Sequence, residues 1–156
     1  MSLRVSVRPA DVTNMASTCV KVVDYKIARS DIGVLLVEDD PESAGLTLTK
    51  VSEGKDSPFR VEWADDLQRA MSRLAQPGID VVLLDFGMLE SGDPTSHPTI
   101  KRVVSMKVPV VILTSDESTL SRHLTLGHGA VSYLIKRRTS SAELRHALHE
   151  AMALSR

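Results

Sequence analysis

The sequence is poor in the features that assign a chain to a class at sight. Cysteine occurs once, at Cys19, which excludes an intrachain disulfide and any multi-cysteine metal centre and makes a reducing cytoplasm the default compartment. Charge of one sign is not in excess. Nineteen Lys and Arg face 20 Asp and Glu, a formal net of −1, so there is no electrostatic case for nucleic acid or an anionic membrane as partner. No apolar run approaches the ~20 residues that a membrane span needs. Near the amino terminus Arg4, Arg8 and Asp11 interrupt each short apolar run, and a signal-peptide core is not expected there. Internal repeats and low-complexity tracts are missing too. With 156 residues and 42% hydrophobic content, the expectation is one globular domain with a sizeable core.

What is there is a set of short apolar runs that end in polar residues. Val81-Val82-Leu83-Leu84 runs without interruption into Asp85; such a run suits a strand covered on both faces, as in a parallel sheet between helix layers. Ile32–Val37 reads the same way and runs into Glu38-Asp39-Asp40-Pro41, where Pro41 behind an Asp N-cap predicts a helix from Asp40 toward Gly54. Phe59–Trp63 alternates as a strand, and Trp63 is read as packing at its end rather than stacking on a ligand. A helix follows from Asp65 or Asp66, with Leu67, Ala70, Met71 and Leu74 at helical spacing and Pro77-Gly78 closing it.

After Asp85 the glycines and prolines of Phe86–Pro98 predict a loop, then a short helix over Ile100–Met106 and a buried strand over Val108–Leu113 that ends in Thr114. Glu117–Leu126 reads as helix closed by Gly127. Ala130–Ile135 is the last strand and runs into Lys136. Ser140 or Ser141 caps a final helix whose Leu144, Leu148, Ala151 and Met152 share a face. Residues 1–30 are read separately, as an amino-terminal extension in which Leu3, Val5 and Val7 alternate before Pro9; an ordered extension would cover a sheet edge or contribute to a homodimer. The domain proper is expected over 31–156.

Five strands, each followed by a helix, predict an α/β fold with right-handed crossovers: a doubly wound five-stranded parallel sheet. In the order 2-1-3-4-5, a crevice opens where the first and third strands meet, at their carboxyl ends. Glu38, Asp39 and Asp85 would converge there, with Thr114 and Lys136 across from them. Three neighbouring carboxylates repel one another unless a partner relieves them. A hard divalent cation does so, and oxygen-only ligands with room for water favour Mg²⁺. Lys136 cannot ligate a metal but can neutralise an anion bound opposite. A cation, a nucleophilic carboxylate, a hydroxyl and an ammonium together suit phosphoryl transfer, with Asp85 attacking in line.

In these four segments, Leu35-Leu36-Val37-Glu38-Asp39-Asp40, Val82-Leu83-Leu84-Asp85, Ile112-Leu113-Thr114-Ser115 and Gly129 through Lys136, the sequence resembles the receiver domains of two-component response regulators. The resemblance covers Ile32 to about Leu154 and implies the flavodoxin-like receiver fold. It implies that Asp85 accepts a phosphoryl group from the phosphohistidine of a sensor histidine kinase or phosphotransfer protein. It also implies Mg²⁺ held by Asp39, Asp85 and the main-chain carbonyl of Gly87, with Glu38 acting mostly through water. Thr114 and Lys136 would contact the phosphoryl oxygens, and Tyr133 would be the aromatic switch. The family often has proline at the positions of Leu89 and Arg137; with Arg137 after the lysine, a cis peptide is not expected there.

Plainer roles exist for each residue: helix capping for Glu38, Asp39 or Thr114, and a solvated charge for Lys136. Asp40 is better placed to cap than the acidic pair. His146 and His149, three apart on the last helix, are read as polar surface and not as a metal site. Among other functions, a receiver-fold interaction module not controlled by phosphorylation would ordinarily lack the acceptor, the acidic pair or the lysine, and all are present. An aspartate-nucleophile phosphatase needs a second aspartate two residues after the first, where Gly87 stands. A dinucleotide site needs a glycine-rich turn after the first strand, where Glu38-Asp39-Asp40 stands. The expectation is therefore a phosphorylation-dependent signalling switch and not an enzyme. The sequence ends at Arg156 without a DNA-binding motif, which predicts a receiver standing alone or one piece of a longer regulator.

Overall fold

The structure, a computed structural model, describes residues 32–54, 57–89, 98–115 and 130–154. Strand β1 (Ile32–Val37) leads to helix α1 (Pro41–Ser52), then β2 (Phe59–Ala64), α2 (Leu67–Leu74), β3 (Val81–Asp85), a 3₁₀ turn (Phe86–Leu89), α3 (Pro98–Ser105), β4 (Val110–Thr114), β5 (Ala130–Ile135) and α4 (Ser141–Leu154). The five strands form one sheet in the order β2-β1-β3-β4-β5, and every pairing is parallel. This is the doubly wound order expected from the sequence. The predicted helix over Glu117–Leu126 lies outside the described residues, as do residues 1–30.

Alternation along the strands divides the core into two halves. Val34, Leu36, Val81, Leu83, Val111 and Leu113 pack on one side against Ala44 and Val51 of α1 and Leu144, Leu148 and Ala151 of α4. Leu35, Val37, Val82, Leu84, Val110 and Ile112 pack on the other against Ala70 and Leu74 of α2 and Ile100 and Val103 of α3. All five residues of β3 are buried, which accounts for its unbroken apolar run. Each fully buried leucine, Leu36, Leu83 and Leu148 among them, contributes about 2–3 kcal/mol of transfer free energy.

The element ends have local causes. Asp40 caps α1 by accepting the Ser43 N–H at 2.8 Å, and Asp66 caps α2 through Arg69 N–H at 2.7 Å. Ser140 and Glu143 exchange bonds at the start of α4, with Ser140 N–H to Glu143 Oε2 at 2.7 Å and Glu143 N–H to Ser140 Oγ at 3.2 Å, the reciprocal arrangement of a capping box. The bounds of β2, β4 and α3 differ from the sequence expectation. β2 runs one residue further because Glu38 N–H bonds the Ala64 carbonyl and extends the ladder. β4 begins at Val110, since Pro109 has no N–H to give, and includes Thr114. α3 begins earlier, with Pro98 as its first residue, where a missing N–H costs nothing.

The end of the sheet away from the crevice depends on close backbone approach. A Cβ on Gly33 would lie 1.9 Å from the Gly78 carbonyl oxygen. Gly78 itself has φ +104°, a left-handed conformation that glycine adopts without strain.

Candidate functional site

Register brings the strand ends together. Val37 of β1 is opposite Leu84 of β3, so Glu38 and Asp85, one step further on, meet at the crevice. Leu113 is opposite Asp85 and Ile135 is opposite Thr114, which brings Thr114 and then Lys136 to the same edge. Carboxylate oxygens of Glu38, Asp39 and Asp85 all lie within 4.8 Å of one another. Glu38 is 1% exposed, Asp85 8% and Thr114 2%, whereas Asp39 is exposed.

Lys136 joins these groups. Its ammonium is 2.7 Å from Asp85 Oδ1, pairs with Glu38 Oε2 and donates to Ser43 Oγ at 2.9 Å. An ammonium has three N–H bonds, and each finds an acceptor. Ser43 Oγ in turn donates to Glu38 Oε2 at 2.9 Å, while Glu38 Oε1 accepts the Asp40 N–H at 3.2 Å. Beyond the carboxylate, the main-chain carbonyl of Glu38 accepts Trp63 Nε1–H at 2.8 Å. Trp63 thus sits at the strand end as expected, but with an exposed ring and a bond into the site.

The lysine's own backbone is tied down separately. Lys136 N–H bonds the Thr114 carbonyl at 2.8 Å. Lys50 of α1 donates its ammonium to the carbonyls of Lys136 at 3.0 Å and Thr139 at 2.8 Å. No cis peptide occurs among the described residues, in line with Arg137 after the lysine.

Three carboxylates and one ammonium leave an excess of negative charge. At an effective dielectric of ~20, each carboxylate pair repels by about 3 kcal/mol at such separations. Burial pushes the Asp85 carboxyl above its ordinary range; the Lys136 bond and charge oppose this, and the charges of Glu38 and Asp39 add to it. Burial alone would lower the Lys136 ammonium, yet its bonds to Asp85 and Glu38 outweigh that and raise it. Asp85 also needs space. A Cβ on Gly87 would lie 2.7 Å from Asp85 Oδ2, so a side chain there would push on the carboxylate. The donor set suits a hard cation: oxygen ligands only, two buried and one open to solvent, with a surplus of negative charge to be offset.

Of the residues singled out from sequence, the structure brings Glu38, Asp39, Asp85, Thr114 and Lys136 to one sheet edge, with Gly87 beside Asp85. Tyr133 is partly buried on β5 against the α2/α3 side of the core, facing Ile112 of β4 in register. His146 and His149 do not converge on a shared acidic partner: His146 pairs with Glu150 at 3.2 Å, and His149 packs on the Phe59 ring at 5.0 Å. Sequence reasoning missed Ser43 and Lys50. A serine three residues past an N-cap reads as an ordinary first-turn residue, and nothing in a last-turn lysine announces a contact 86 residues away.

The family model for the response regulator receiver domain matches residues 34–149. The chain belongs to this family. Receiver domains among the solved structures share its fold. The Francisella response regulator 1452 receiver domain is 25% identical, with TM-score 0.62, covering 80% of this chain and 99% of that one. The signal receiver domain of an HD domain-containing protein from Pseudomonas fluorescens Pf-5 is 21% identical, with TM-score 0.64, covering 81% and 90%. A curated relative, a probable cyclic di-GMP phosphodiesterase of Vibrio cholerae, is 31% identical over 108 residues. That match takes in 69% of this receiver chain but only 24% of the relative. No helix among the described residues is long and apolar enough to cross a membrane.

Proposed function

We propose that this receiver domain accepts a phosphoryl group on Asp85 from the phosphohistidine of a sensor histidine kinase or phosphotransfer protein, with Mg²⁺, and acts as a two-component signalling switch rather than an enzyme on an external substrate. The observation that carries the reading is the convergence of Asp85, Lys136, Glu38 and Asp39 in one crevice, with the carboxylate oxygens within 4.8 Å and Lys136 in contact with Asp85. The receiver unit is taken as residues 31–156, with 1–30 as an extension, and its compartment as the cytoplasm.

An oxygen of Asp85 attacks phosphorus in line, the P–N bond to the histidine breaks, and its electron pair stays on the imidazole nitrogen, which then takes a proton. An acyl phosphate is left on Asp85. Lys136 offsets charge on the phosphoryl oxygens, and the Thr114 hydroxyl donates to one of them. Mg²⁺ would supply charge neutralisation for the phosphoryl group; Asp39, Asp85 and the Gly87 carbonyl would hold it, with Glu38 acting mostly through water. The group adds about −1.5 to −2 charge, which draws on Thr114 and biases the position of Tyr133 between two arrangements that a partner reads.

Incubation with acetyl phosphate and Mg²⁺ is expected to add one phosphoryl mass, and Asp85→Asn is expected to abolish it. A wild-type protein that binds Mg²⁺ yet stays unmodified would leave a receiver-fold interaction module, not controlled by phosphorylation, as the better description.

A further inference from the structure

The resting site holds its lysine with one more group than the phosphoryl chemistry requires. All three N–H bonds of Lys136 are occupied, by Asp85 Oδ1 at 2.7 Å, by Glu38 Oε2 and by Ser43 Oγ at 2.9 Å. A phosphoryl group arriving on Asp85 brings new acceptor oxygens, and an ammonium with no spare N–H must give up a partner to reach one. Of the three, Ser43 is the only uncharged acceptor. Until transfer is complete Asp85 is still charged, and bonds between charged groups are about twice as strong as those to a neutral oxygen, so the serine is the partner the lysine gives up to meet the incoming phosphoryl group.

Ser43 is also fixed where a free side chain would not be. Its N–H is held by the Asp40 cap at 2.8 Å, and its hydroxyl hydrogen is directed at Glu38 Oε2 at 2.9 Å. That leaves an oxygen lone pair aimed at Lys136. We infer that Ser43 is a positioning residue that holds the Lys136 ammonium against Glu38 in the resting state and thereby slows phosphoryl uptake on Asp85.

This rests on Asp85 being the acceptor, and two measurements separate the two ideas. In protein labelled with ¹⁵N-lysine, Ser43→Ala is expected to speed the exchange of the Lys136 ammonium protons with water, while Ser43→Thr, which keeps the hydroxyl, stays close to wild type. In uptake of phosphoryl from acetyl phosphate with Mg²⁺, Ser43→Ala is expected to be about three- to ten-fold faster, the factor for one hydrogen bond of ordinary strength, and Ser43→Thr to return to the wild-type rate. Alanine is the better helix former, so the fold survives the change.

Unchanged or slower uptake in Ser43→Ala overturns the inference, as does unchanged ammonium exchange. Faster exchange and faster uptake in Ser43→Ala, both reversed in Ser43→Thr, support it. If the wild type takes up no phosphoryl at all, the proposed function fails, and the exchange measurement alone decides whether Ser43 holds the lysine.

Discussion

Asp85 is held by opposing forces: burial and two neighbouring carboxylates resist its charge, and Lys136 favours it. The net effect raises its carboxyl above the ordinary 3.8. An acid whose folded pKa is raised loses stability as pH climbs from the unfolded value through the folded one, because the unfolded chain ionises first. Without Mg²⁺, ionising Asp85 as pH rises therefore works against the fold. Asp85→Asn is expected to raise Tm under those conditions, since Lys136 keeps Glu38 and Ser43 as partners; a lowered Tm in a thermal melt with chelator would contradict this. Glu62 on β2 shows the opposite sign. Its bond to Arg73 at 2.8 Å, with help from Arg60, outweighs burial and lowers its pKa from 4.5 to about 2. Its stabilising effect is complete above pH ~4.5 and is lost as pH falls toward ~2. The Tm gap between wild type and Glu62→Gln should accordingly be widest at neutral pH and close over that acid range.

Strands and helices follow from pattern far more directly than contacts do. β1 and β3 have the bounds that their apolar runs imply, because a strand covered on both faces has no reason to admit a polar residue until it leaves the sheet; β5, the edge strand, keeps its expected bounds although it admits Ser132. The same logic made Glu38, Asp85, Thr114 and Lys136 stand out, each being the first polar residue at a strand's carboxyl end. Phe86–Leu89 is different: its glycine suggested a loop, and a single 3₁₀ turn has no periodicity to detect. Ser43, Lys50 and the bond from Trp63 to Glu38 escaped for another reason, since the partners come from distant segments and only the folded sheet brings them near. Gly33 also lacks a local signature, yet β1 depends on it. Gly33→Ala would force a Cβ to within 1.9 Å of the Gly78 carbonyl oxygen, a clash with backbone rather than with a yielding side chain. It is expected to cost about 3 kcal/mol, the upper end for overpacking, measured by urea unfolding.

On the scale of the whole domain, the uncompensated charge in the crevice couples ion binding to stability. Mg²⁺ that binds only the native state is expected to add about 1.4 kcal/mol at ten times its Kd, visible as a Tm that climbs with Mg²⁺ and climbs less in Asp85→Asn. Fluorescence of Trp63, the only tryptophan and bonded to the Glu38 carbonyl, should titrate alongside; a flat signal and a flat Tm together would argue against an ion site here. Sheet order adds a further consequence. Because β2 lies outside β1, the crevice is bounded by strands that are not successive in the chain, and Lys136 reaches Glu38 across a separation of 98 residues. A ribosome must therefore release almost the entire domain before the carboxylates acquire their counter-charge. A truncated or half-assembled chain carries the same acidic residues without gathering them, so an Mg²⁺-dependent change at Trp63 would count only those molecules whose synthesis and assembly had finished.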